Sequence, residues 1–576
     1  MKNFSFFIFL FLLSCSSLDT QSYVIPVKQS PEQKSLYTAT GKHLVIATQG
    51  EAATEAARKI YKQGGNIIDA AVAASFVISV ERPQSTGLGG GGFMMFKEAK
   101  SGKTYAIDFR ERAPLKATAR MYLDKKGDII EGLSSEGHKS SAVPGIVAGL
   151  LETHKKFGKL SRAQVMAPAI ELAEKGFKVY EHLENALNQT KDLLVKYPAT
   201  AKIFLKADKT PYKVGDLLVQ KDLAKTLRKI SSSGASVFYN GSISRAIVNE
   251  SLKNKGLISK KDLAIYKTKW REPVSGTYNG YTLLSMPPPS SGGTHVIEIL
   301  NILEGASLAE LGPSSSQGIH LRAAAMQQAF ADRATYMGDP DFFKEIPLKG
   351  LLSKKYAADV RSRIEKEGHQ VSTAVRAGKA SAYESEETTN FSMMDIEGNV
   401  VVSTQTINGY MGSGVVVPGT GILMNNEMDD FSAKPGASNI FGAIGGIPNS
   451  IEPRKTPLSS MAPTIVLKDG TPVMALGAPG GTRIITCVAQ TILNYLEYKM
   501  PLYDAVAALR MHHQWQPDQI DIEEPGPGKS VVKKLEQMGY KVNLGRIGCR
   551  VNAVAREEGS LLGAADPRDL GSSYAE

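Results

Sequence analysis

The hydrophobic positions of this chain follow two periods, and each period predicts a different kind of element. Residues 51–63 place apolar side chains on one side of a helix, which Gly64 and Gly65 end. Residues 69–80, rich in alanine and valine, predict a second helix directly after this stop. Further elements are predicted downstream: helices at residues 163–175, 222–230, 295–304 and 316–337, and strands at residues 93–96 and 278–285.

A glycine-rich run at residues 87–92 matches the letters of the dinucleotide-binding fingerprint G-x-G-x-x-G. That fingerprint requires a strand before the glycines and a helix after them. Here the predicted helix precedes the run and the predicted strand follows it. The order argues against nucleotide binding and favours a tight backbone turn packed against another element.

Two further strands, separated by a turn signal, are predicted at residues 388–394 and 400–407. If the loop between them is a two-residue Glu-Gly turn, the pairing places Thr406 and Asn408 on either side of Thr388. Longer turns would shift this register. The pattern nevertheless predicts two polar side chains beside one threonine.

The segment before these strands, residues 365–387, is polar and predicts an exposed, mobile stretch that ends abruptly at Thr388. A threonine hydroxyl becomes a good nucleophile only when a base takes its proton. An N-terminal threonine carries such a base in its own α-amine, whose pKa lies near neutrality. This chemistry requires a cut between Glu387 and Thr388. On spacing alone, an ordinary strand residue remains the favoured alternative.

Length, charge and cysteine content exclude several classes of protein. The 576 residues predict several units or one large α/β domain. The net charge of +11 comes from dispersed lysines and arginines, so a solvated basic surface is favoured over nucleic-acid binding. Three cysteines form no disulfide framework, and Cys487 in an apolar stretch is expected to be a buried thiol. No His/Cys spacing predicts a metal, and no cofactor is implied.

The N-terminus predicts an export signal. One lysine precedes a short apolar run at residues 4–13, which is too short to span a bilayer as a mature helix. The sequence Leu-Leu-Ser-Cys around Cys15 resembles the lipobox of bacterial lipoproteins, in which the cysteine is acylated and becomes the first mature residue. Residues 16–35 would then be a tether at the periplasmic side of the outer membrane. An ordinary signal peptide, giving a soluble periplasmic protein, is the alternative.

A series of specific motifs occurs in order along the chain: residues 65–71, the glycine run to Phe93, residues 108–111, 287–293, 332–333, 338–340, 425–431, 457–461 and 477–481. Through these motifs the chain resembles the gamma-glutamyltransferase family from about residue 40 to residue 574. The family belongs to the N-terminal nucleophile hydrolases, and its fold is a four-layer αββα sandwich built from a large and a small subunit. Both subunits arise by self-cleavage of one precursor, which here implies a large subunit of residues 36–387 and a small subunit of residues 388–576.

The resemblance also implies roles for individual residues. Thr388 corresponds to the processing and catalytic nucleophile, and Thr406 to the hydroxyl that supports it. The substrate α-carboxylate would be held by a bidentate arginine and two serine hydroxyls, and the α-ammonium by an amide and two carboxylates. Backbone N–H groups of two glycines would form the oxyanion hole, under a lid at residues 435–446 whose aromatic residue is phenylalanine where tyrosine is common. The residues in these positions are Arg110, Ser459 and Ser460, then Asn408, Glu427 and Asp430, then Gly480 and Gly481, and in the lid Phe441.

The function implied is hydrolysis of glutathione and other γ-glutamyl compounds, or transfer of their acyl group, through a γ-glutamyl-Thr388 intermediate. Water, an amino acid or a dipeptide would take the acyl group. Two enzymatic alternatives are a cephalosporin acylase and a poly-γ-glutamate hydrolase. A third alternative is an inactive surface lipoprotein that only binds peptides; the retained Thr388, Thr406 and glycines argue against it.

Overall fold

Two seven-stranded sheets stack face to face at the centre of the molecule. The computed structural model describes residues 23–375 and 388–576. Within this part of the chain, helices cover the outer face of each sheet, so the layers run helix, sheet, sheet, helix. The predicted four-layer αββα sandwich is confirmed.

The strands are short, and fourteen of the twenty-one in the described part of the chain belong to the two central sheets. Their bounds are β1 (Thr38–Gly41), β2 (Leu44–Thr48), β3 (Gly91–Lys97), β4 (Thr104–Asp108), β5 (Phe177–Lys178), β6 (Leu217–Leu218), β7 (Lys269–Arg271), β8 (Val274–Tyr278), β9 (Tyr281–Ser285), β10 (Thr389–Asp395), β11 (Val400–Thr406), β12 (Val416–Val417), β13 (Ile422–Leu423), β14 (Thr464–Lys468), β15 (Thr471–Gly477), β16 (Met511–His512), β17 (Ile520–Glu523), β18 (Val542–Gly545), β19 (Asn552–Glu557), β20 (Ser560–Ala564) and β21 (Ser572–Ala575). One sheet has the order β1-β20-β19-β15-β14-β9-β8, and the other has the order β21-β2-β10-β11-β3-β4-β7.

The helices lie outside these sheets. Their bounds are α1 (Pro31–Tyr37), α2 (Glu51–Lys62), α3 (Ile67–Glu81), α4 (Ile146–Phe157), α5 (Arg162–Lys175), α6 (Glu181–Gln189), α7 (Lys191–Val195), α8 (Pro198–Phe204), α9 (Lys221–Ser233), α10 (Ala235–Tyr239), α11 (Ser242–Lys253), α12 (Lys260–Ala264), α13 (Gly292–Leu303), α14 (Leu308–Leu311), α15 (Ser316–Tyr336), α16 (Leu348–Leu351), α17 (Lys354–Glu367), α18 (Arg483–Leu496), α19 (Leu502–Ala507) and α20 (Lys529–Gln537). Two 3₁₀ turns span Glu427–Asp430 and Ile447–Asn449.

The central strands are apolar on both faces because each face meets another layer. On β11, Val400 and Val402 pack into the core between the sheets, whereas Val401 packs under α2 and α3. Every residue of β10 and β11 is buried. This is the pattern expected for strands that have no solvent-facing side.

The predicted helices at residues 51–63, 69–80, 163–175, 222–230, 295–304 and 316–337 are all present, with ends shifted by a few residues. The strand predicted at residues 278–285 is wrong in one respect. Asn279 and Gly280 both have positive φ and turn the chain between β8 and β9. Such an Asn-Gly pair is a strong hairpin signal that the apolar run concealed.

Cys487 is not a buried thiol, contrary to expectation. It forms a disulfide with Cys549, and the two Cα atoms lie 6.7 Å apart. The pair is separated by 62 positions in the sequence, so spacing gave no sign of it. Both cysteines are fully buried.

Two of the predicted flexible stretches are partly folded. In the predicted tether, the part from Tyr23 onward contacts the domain: the Tyr23 hydroxyl donates to Asp504 at 2.6 Å, and α1 follows. Residues 365–367 end α17, and Ser372 is buried against Trp515. Cys15, the apolar run before it and residues 376–387 lie outside the described residues.

The loops at one end of the sandwich come from both sheets. β10 begins there and β11, its antiparallel neighbour, ends there. β3 also begins at this end, and β4 ends there, because each pairs antiparallel with the strand beside it. Arg110, Thr388, Thr406 and Asn408 lie at or directly beside these strand ends.

Candidate active site

Thr388 stands immediately before β10 and lines a cleft with about 330 Å³ of empty space. Its side chain is mostly buried, with 6% of the residue exposed. Every predicted site residue of the described chain except Gly480 lines the same cleft. The cleft is lined by Arg110, Arg333, Thr388, Thr406, Asn408, Glu427, Asp430, Asn439, Phe441, Ala443, Ser459, Ser460, Met461, Gly481, Thr482 and Ile484.

The hairpin that begins at Thr388 has a different register from the predicted one. β10 pairs with β11 with Thr389 opposite Gln405 and Met394 opposite Val400. The loop therefore has three residues between Asp395 and Asn399, whose backbone groups still pair at 3.1 Å. The predicted two-residue loop is wrong by one position, and continuing the observed register puts Thr406 directly opposite Thr388.

Thr406 is held from two sides. The backbone N–H of Asn408 donates to Thr406 Oγ1 at 2.8 Å, in a turn where Asn408 has a φ of +76°. Asparagine tolerates this left-handed conformation better than most residues. Beneath Thr406, a side-chain carbon on Gly90 would lie 2.0 Å from the Thr406 carbonyl oxygen. The glycine run therefore serves close packing under the site, as the sequence predicted.

The side chain of Asn408 forms a hydrogen bond within the protein. Its side-chain Nδ2 donates to the carbonyl oxygen of Asn426 at 3.0 Å, which ties the end of β11 to the segment leading into the 3₁₀ turn. That turn carries Glu427 and Asp430. Asn408 thus links the threonine pair to the acidic side chains of the cleft.

Arg110 emerges after β4 and is almost fully buried, with 1% of the residue exposed. Its guanidinium forms ion pairs with Glu427 and Asp430, and Glu111 lies 3.9 Å away. The backbone N–H of Arg110 donates to Asp108 Oδ1 at 3.0 Å, which fixes the turn after the strand. The predicted carboxylate-binding and ammonium-binding groups are therefore paired with each other when no substrate charge separates them.

Three carboxyl groups share this one buried arginine. Burial raises the pKa of Glu111 to about 7, although the charge of Arg110 opposes the shift. Burial also raises the pKa of Glu427 well above its ordinary value and raises that of Asp430. Because like charges this close disfavour joint ionisation, these carboxyl groups hold their protons more strongly than isolated carboxyl groups do.

Ser459 and Ser460 also line the cleft and precede β14, and the Ser459 N–H donates to the Pro289 carbonyl oxygen at 3.0 Å. The Ser459 hydroxyl accepts from the N–H of Met461 at 3.1 Å. The Ser460 hydroxyl accepts from Arg333 Nη2 at 3.2 Å, and Arg333 Nε also donates to Ser291. No role was predicted for Arg333, although the resemblance included it in a motif.

Gly480 and Gly481 form the turn between β15 and α18, and both have positive φ. Phe441 lies on Gly481, since a side-chain carbon there would come within 2.6 Å of the phenyl ring. Asn439 holds the lid in place: its Nδ2 donates to Asp430 at 2.8 Å, and its Oδ1 accepts from the N–H groups of Phe441 and Ala443. Sequence reasoning identified Phe441 but missed Asn439.

Two general features of the described residues complete the picture. Across residues 23–375 and 388–576, no group of three or more His, Cys, Asp or Glu side chains is arranged to hold a metal ion. A helix with the length and apolarity needed to cross a membrane was likewise not found in that part of the chain.

Known proteins support the resemblance over nearly the whole chain. The Gamma-glutamyltranspeptidase family matches residues 53–575. The Glutathione hydrolase proenzyme of Escherichia coli (strain K12) is 42% identical over 566 residues, which cover 97% of each chain. The Acylase ACY 1 proenzyme of Pseudomonas sp. (strain SE83) is 39% identical and covers 93% of this chain and 94% of its own.

A solved structure shows the same similarity at the level of the fold. The crystal structure of cephalosporin acylase from Bacillus halodurans superposes with a TM-score of 0.82 at 27% identity, covering 97% of this chain and 99% of the other. The predicted fold, family and enzyme class are confirmed, whereas the roles of individual residues are not tested by these likenesses. The chain belongs to the gamma-glutamyltranspeptidase family.

Proposed function

We propose that this protein is a self-processing γ-glutamyl hydrolase and transferase whose nucleophile, in both reactions, is Thr388. The observation that carries the proposal is one cleft lined by a threonine at a strand start, a second threonine on the facing strand, a glycine turn and a paired set of buried charges. A γ-glutamyl compound needs these groups together. Its reacting carbonyl lies at one end and its zwitterionic α-carbon at the other.

Maturation would come first. The Thr388 hydroxyl adds to the carbonyl carbon of Glu387, the C–N bond breaks, and the acyl group moves from nitrogen to oxygen as an ester. The hydroxyl proton goes to the nitrogen, so the Thr388 α-amine is already free in the ester. Water then hydrolyses the ester, which frees the Thr388 hydroxyl and leaves a carboxylate on Glu387. The products are the large subunit, ending at residue 387, and the small subunit, beginning at residue 388.

Turnover would reuse the same hydroxyl. The freed α-amine, with an ordinary pKa near 8, accepts the hydroxyl proton as the oxygen attacks the γ-carbonyl. The N–H groups of Gly480 and Gly481 stabilise the oxyanion, and the amine of the substrate leaves with the proton. Water, or the amine of an amino acid or dipeptide, then takes the γ-glutamyl group from Thr388.

The charged side chains of the cleft favour a γ-glutamyl donor. A substrate α-carboxylate can take over the guanidinium of Arg110, with Ser459 and Ser460 as further donors. The α-ammonium can then pair with Glu427 and Asp430, which the carboxylate has displaced from the arginine. The substrate thus replaces ion pairs between protein side chains with ion pairs between the protein and its own carboxylate and ammonium groups.

The substrate of a cephalosporin acylase would fit the charges of this site less well. A glutaryl group has the carboxylate but no ammonium, so it would separate Arg110 from Glu427 and Asp430 and leave buried carboxylates uncompensated. A poly-γ-glutamate chain end would satisfy the same charges, so cleavage of such polymers remains a second candidate. The relatives of this chain include both a glutathione hydrolase and an acylase, so the two kinds of donor have to be compared directly.

For location, we propose export through the N-terminal segment, with Cys15 acylated and the protein held at the periplasmic side of the outer membrane. The lipobox-like sequence supports this assignment. Palmitate labelling of the wild type and its loss in Cys15→Ala are the expected results. Labelling that persists in the variant would contradict the anchor and favour a cleaved signal peptide.

Two measurements test the enzymatic proposal. Mass spectrometry of the purified protein should find a new N-terminus at Thr388, and Thr388→Ala should remain a single chain. The matched control is Thr389→Ala, the next residue on the same strand, which should still be cleaved. A processed enzyme that turns over glutaryl anilide faster than γ-glutamyl anilide would overturn the donor assignment. An intact wild-type chain would overturn the mechanism.

A further inference from the structure

The glycine turn, residues 478–481, is joined to the C-terminal part of the chain on both sides. Before the turn, β15 pairs with β19, where Gly477 lies opposite Asn552. After the turn, Cys487 on α18 is bonded to Cys549. Two short segments are therefore cross-linked twice, once by a β-ladder and once covalently, with the turn enclosed between the links.

The residue at the far end of the disulfide also touches the turn. A side-chain carbon on Gly480 would lie 2.7 Å from Cys549 Cβ and 2.9 Å from Cys549 Cα, so only glycine fits against this backbone. Gly480 also has a φ of +133°, which other residues rarely adopt. Cys549 is thus the wall behind Gly480, while Phe441 covers Gly481 on the cleft side.

That wall is itself anchored. Arg510 Nη1 donates to the Cys549 carbonyl oxygen at 2.6 Å, and Arg510 Nη2 pairs with Asp566 at 2.6 Å. The same carboxylate accepts from the N–H of Val551 at 2.7 Å, which fixes the chain two residues further on. All of these groups are buried. The disulfide therefore connects α18 to a rigid support.

We propose that the Cys487–Cys549 disulfide is a positioning element of the reaction, which fixes the glycine turn relative to Thr388. The inference rests on the proposed function, in which Gly480 and Gly481 bind the oxyanion. Without the bond, α18 would keep its hydrogen bonds from Thr486 and Gln490 to residues 511–512 but lose its direct covalent link to Cys549. The turn between β15 and α18 could then move away from that wall.

A small displacement at this place has a large effect on rate. Backbone donors stabilise an oxyanion only when they already point at the atom that becomes charged, and loss of one such donor costs about 100- to 1000-fold in kcat. A misplacement of about 1 Å can cost about 100-fold. Ground-state binding relies on the charged side chains instead, so the disulfide should affect kcat far more than KM.

A functional disulfide is consistent with the predicted export of the protein. Disulfides persist in exported proteins and are rare in the cytosol. The predicted export segment would place the enzyme where the bond forms. Full burial of both cysteines should keep the folded enzyme resistant to mild reductants.

The test is the double variant Cys487→Ala, Cys549→Ala, assayed with a γ-glutamyl anilide at 25 °C on protein shown to be folded. We expect kcat to fall about 10- to 100-fold while KM stays within about threefold. The matched control is Val488→Ala, a buried neighbour on the same helix. It should lower the melting temperature and leave kcat within about twofold, because it removes packing and leaves the cross-link intact.

A double variant with a lower melting temperature but wild-type kcat would overturn the proposal, since the bond would then only stabilise the fold. If the variant does not fold, the wild type can be reduced after folding with a water-soluble phosphine. The phosphine becomes its oxide as the two thiols form, and alkylation followed by mass spectrometry verifies this. Full kcat in that reduced enzyme would equally refute the positioning role, and a 10- to 100-fold loss would support it.

Failure of the proposed function has a different signature. In that case the wild type itself would not cleave γ-glutamyl anilide, or Gly481→Ala would keep the wild-type kcat. An active wild type that depends on Gly481 but not on the disulfide would reject only the present inference.

Discussion

The two ends of the cleft are built in opposite ways. The neutral end (Thr388, Thr406 and the glycine turn) has no charged side chain among its members and is fixed by strand pairing, close-packed glycines and a disulfide. The charged end (Arg110, Glu427 and Asp430) is fixed by buried ion pairs between side chains. Both ends line one cleft, yet in the proposed function only the charged end would change its partners on binding a zwitterion.

The difference separates rate from recognition. Backbone geometry cannot be exchanged with a substrate, so the neutral end is preorganised before binding and suits transition-state stabilisation. Buried ion pairs are costly to leave half-satisfied, so under the proposed function the charged end should favour a ligand that supplies both a carboxylate and an ammonium. Changes at the charged end should therefore alter which donor is used, and changes at the neutral end should alter how fast it reacts.

The largest expected effect comes from Arg110→Met. Removal of the guanidinium leaves Glu427 and Asp430 buried without a countercharge, and loss of one partner from such a pair costs about 2–5 kcal/mol or more. We expect kcat/KM for a γ-glutamyl anilide to fall by about 100-fold or more, measured by steady-state kinetics on folded protein.

The matched control is Arg112→Met, two residues further along the same segment. Arg112 stacks on Tyr266 outside the cleft. Its replacement should leave kcat/KM nearly unchanged. Equal losses in the two variants would mean that Arg110 acts through the fold, and the contrast between the two ends would fail.

Asp430→Asn should shift donor preference. The change keeps the shape of the side chain but removes the charge that would hold an α-ammonium, and a charge-assisted hydrogen bond is worth about 1.5–3 kcal/mol. The ratio of kcat/KM for γ-glutamyl over glutaryl anilide should therefore fall by about 10- to 100-fold.

Asp429→Asn provides the control for this shift. Asp429 points the other way, accepting from Ser134 at 2.6 Å and from the N–H of Ile440 at 2.9 Å. It should keep the donor ratio of the wild type. A shift of similar size in both variants would show that acidity of the 3₁₀ turn as a whole, rather than Asp430, selects the donor.

Phe441→Ala should have a smaller effect, on the fate of the acyl group. The ring covers Gly481, so its removal opens the neutral end to water. We expect the ratio of transfer to hydrolysis, measured with a dipeptide acceptor, to fall about three- to tenfold with little change in donor KM. Ile447→Ala, an exposed position just after the lid, should leave the ratio unchanged. An unaltered ratio in Phe441→Ala would remove the lid from the account.

The sequence was most informative where local pattern alone determines structure. Helices such as α2 and α15 follow from apolar spacing, and the predicted order of helix, glycine run and strand is the observed one. The register of the hairpin after Thr388 was wrong by one residue, because a Glu-Gly pair is compatible with a two- or a three-residue loop. A local sequence carries too little information to choose between them.

Long-range partners were beyond the reach of any spacing argument. The Cys487–Cys549 bond joins a helix to a loop 62 positions away, and no pattern in either segment indicates the other. Arg333 and Asn439 were missed for the same reason. Arg333 contacts Ser460 and Asn439 contacts Asp430, and only the folded chain brings these side chains together. Roles for Arg110 and Gly481 came from the family resemblance.

The smallest predicted effect concerns stability behind the charged end. Burial raises the pKa of Glu298 and of Asp332 to about 8, while burial lowers that of His295 to about 3. A carboxyl group whose pKa is higher in the folded state stabilises the fold fully below its unfolded pKa, and this contribution is lost as the pH rises to the folded value. The contribution of these two carboxyl groups should therefore fall between about pH 5 and pH 8, by about 1.4 kcal/mol per pH unit for each proton retained. The lowered pKa of His295 has the opposite effect and makes stability rise with pH between about pH 3 and pH 6.5.

Glu298→Gln isolates this term, because the amide cannot ionise yet keeps an oxygen next to His295 Nδ1, which lies 2.6 Å from the carboxylate. Denaturant unfolding at pH 5.5 and pH 7.5 should give the variant a shallower pH slope than the wild type, with kcat/KM nearly unchanged. Glu310→Gln, at an exposed position on α14, should keep the wild-type slope. If Glu298→Gln also kept that slope, the buried pair would be ionised in the folded protein. Ionised side chains would then extend from the cleft into the helix layer behind it. The division of the cleft into a neutral end and a charged end would no longer hold.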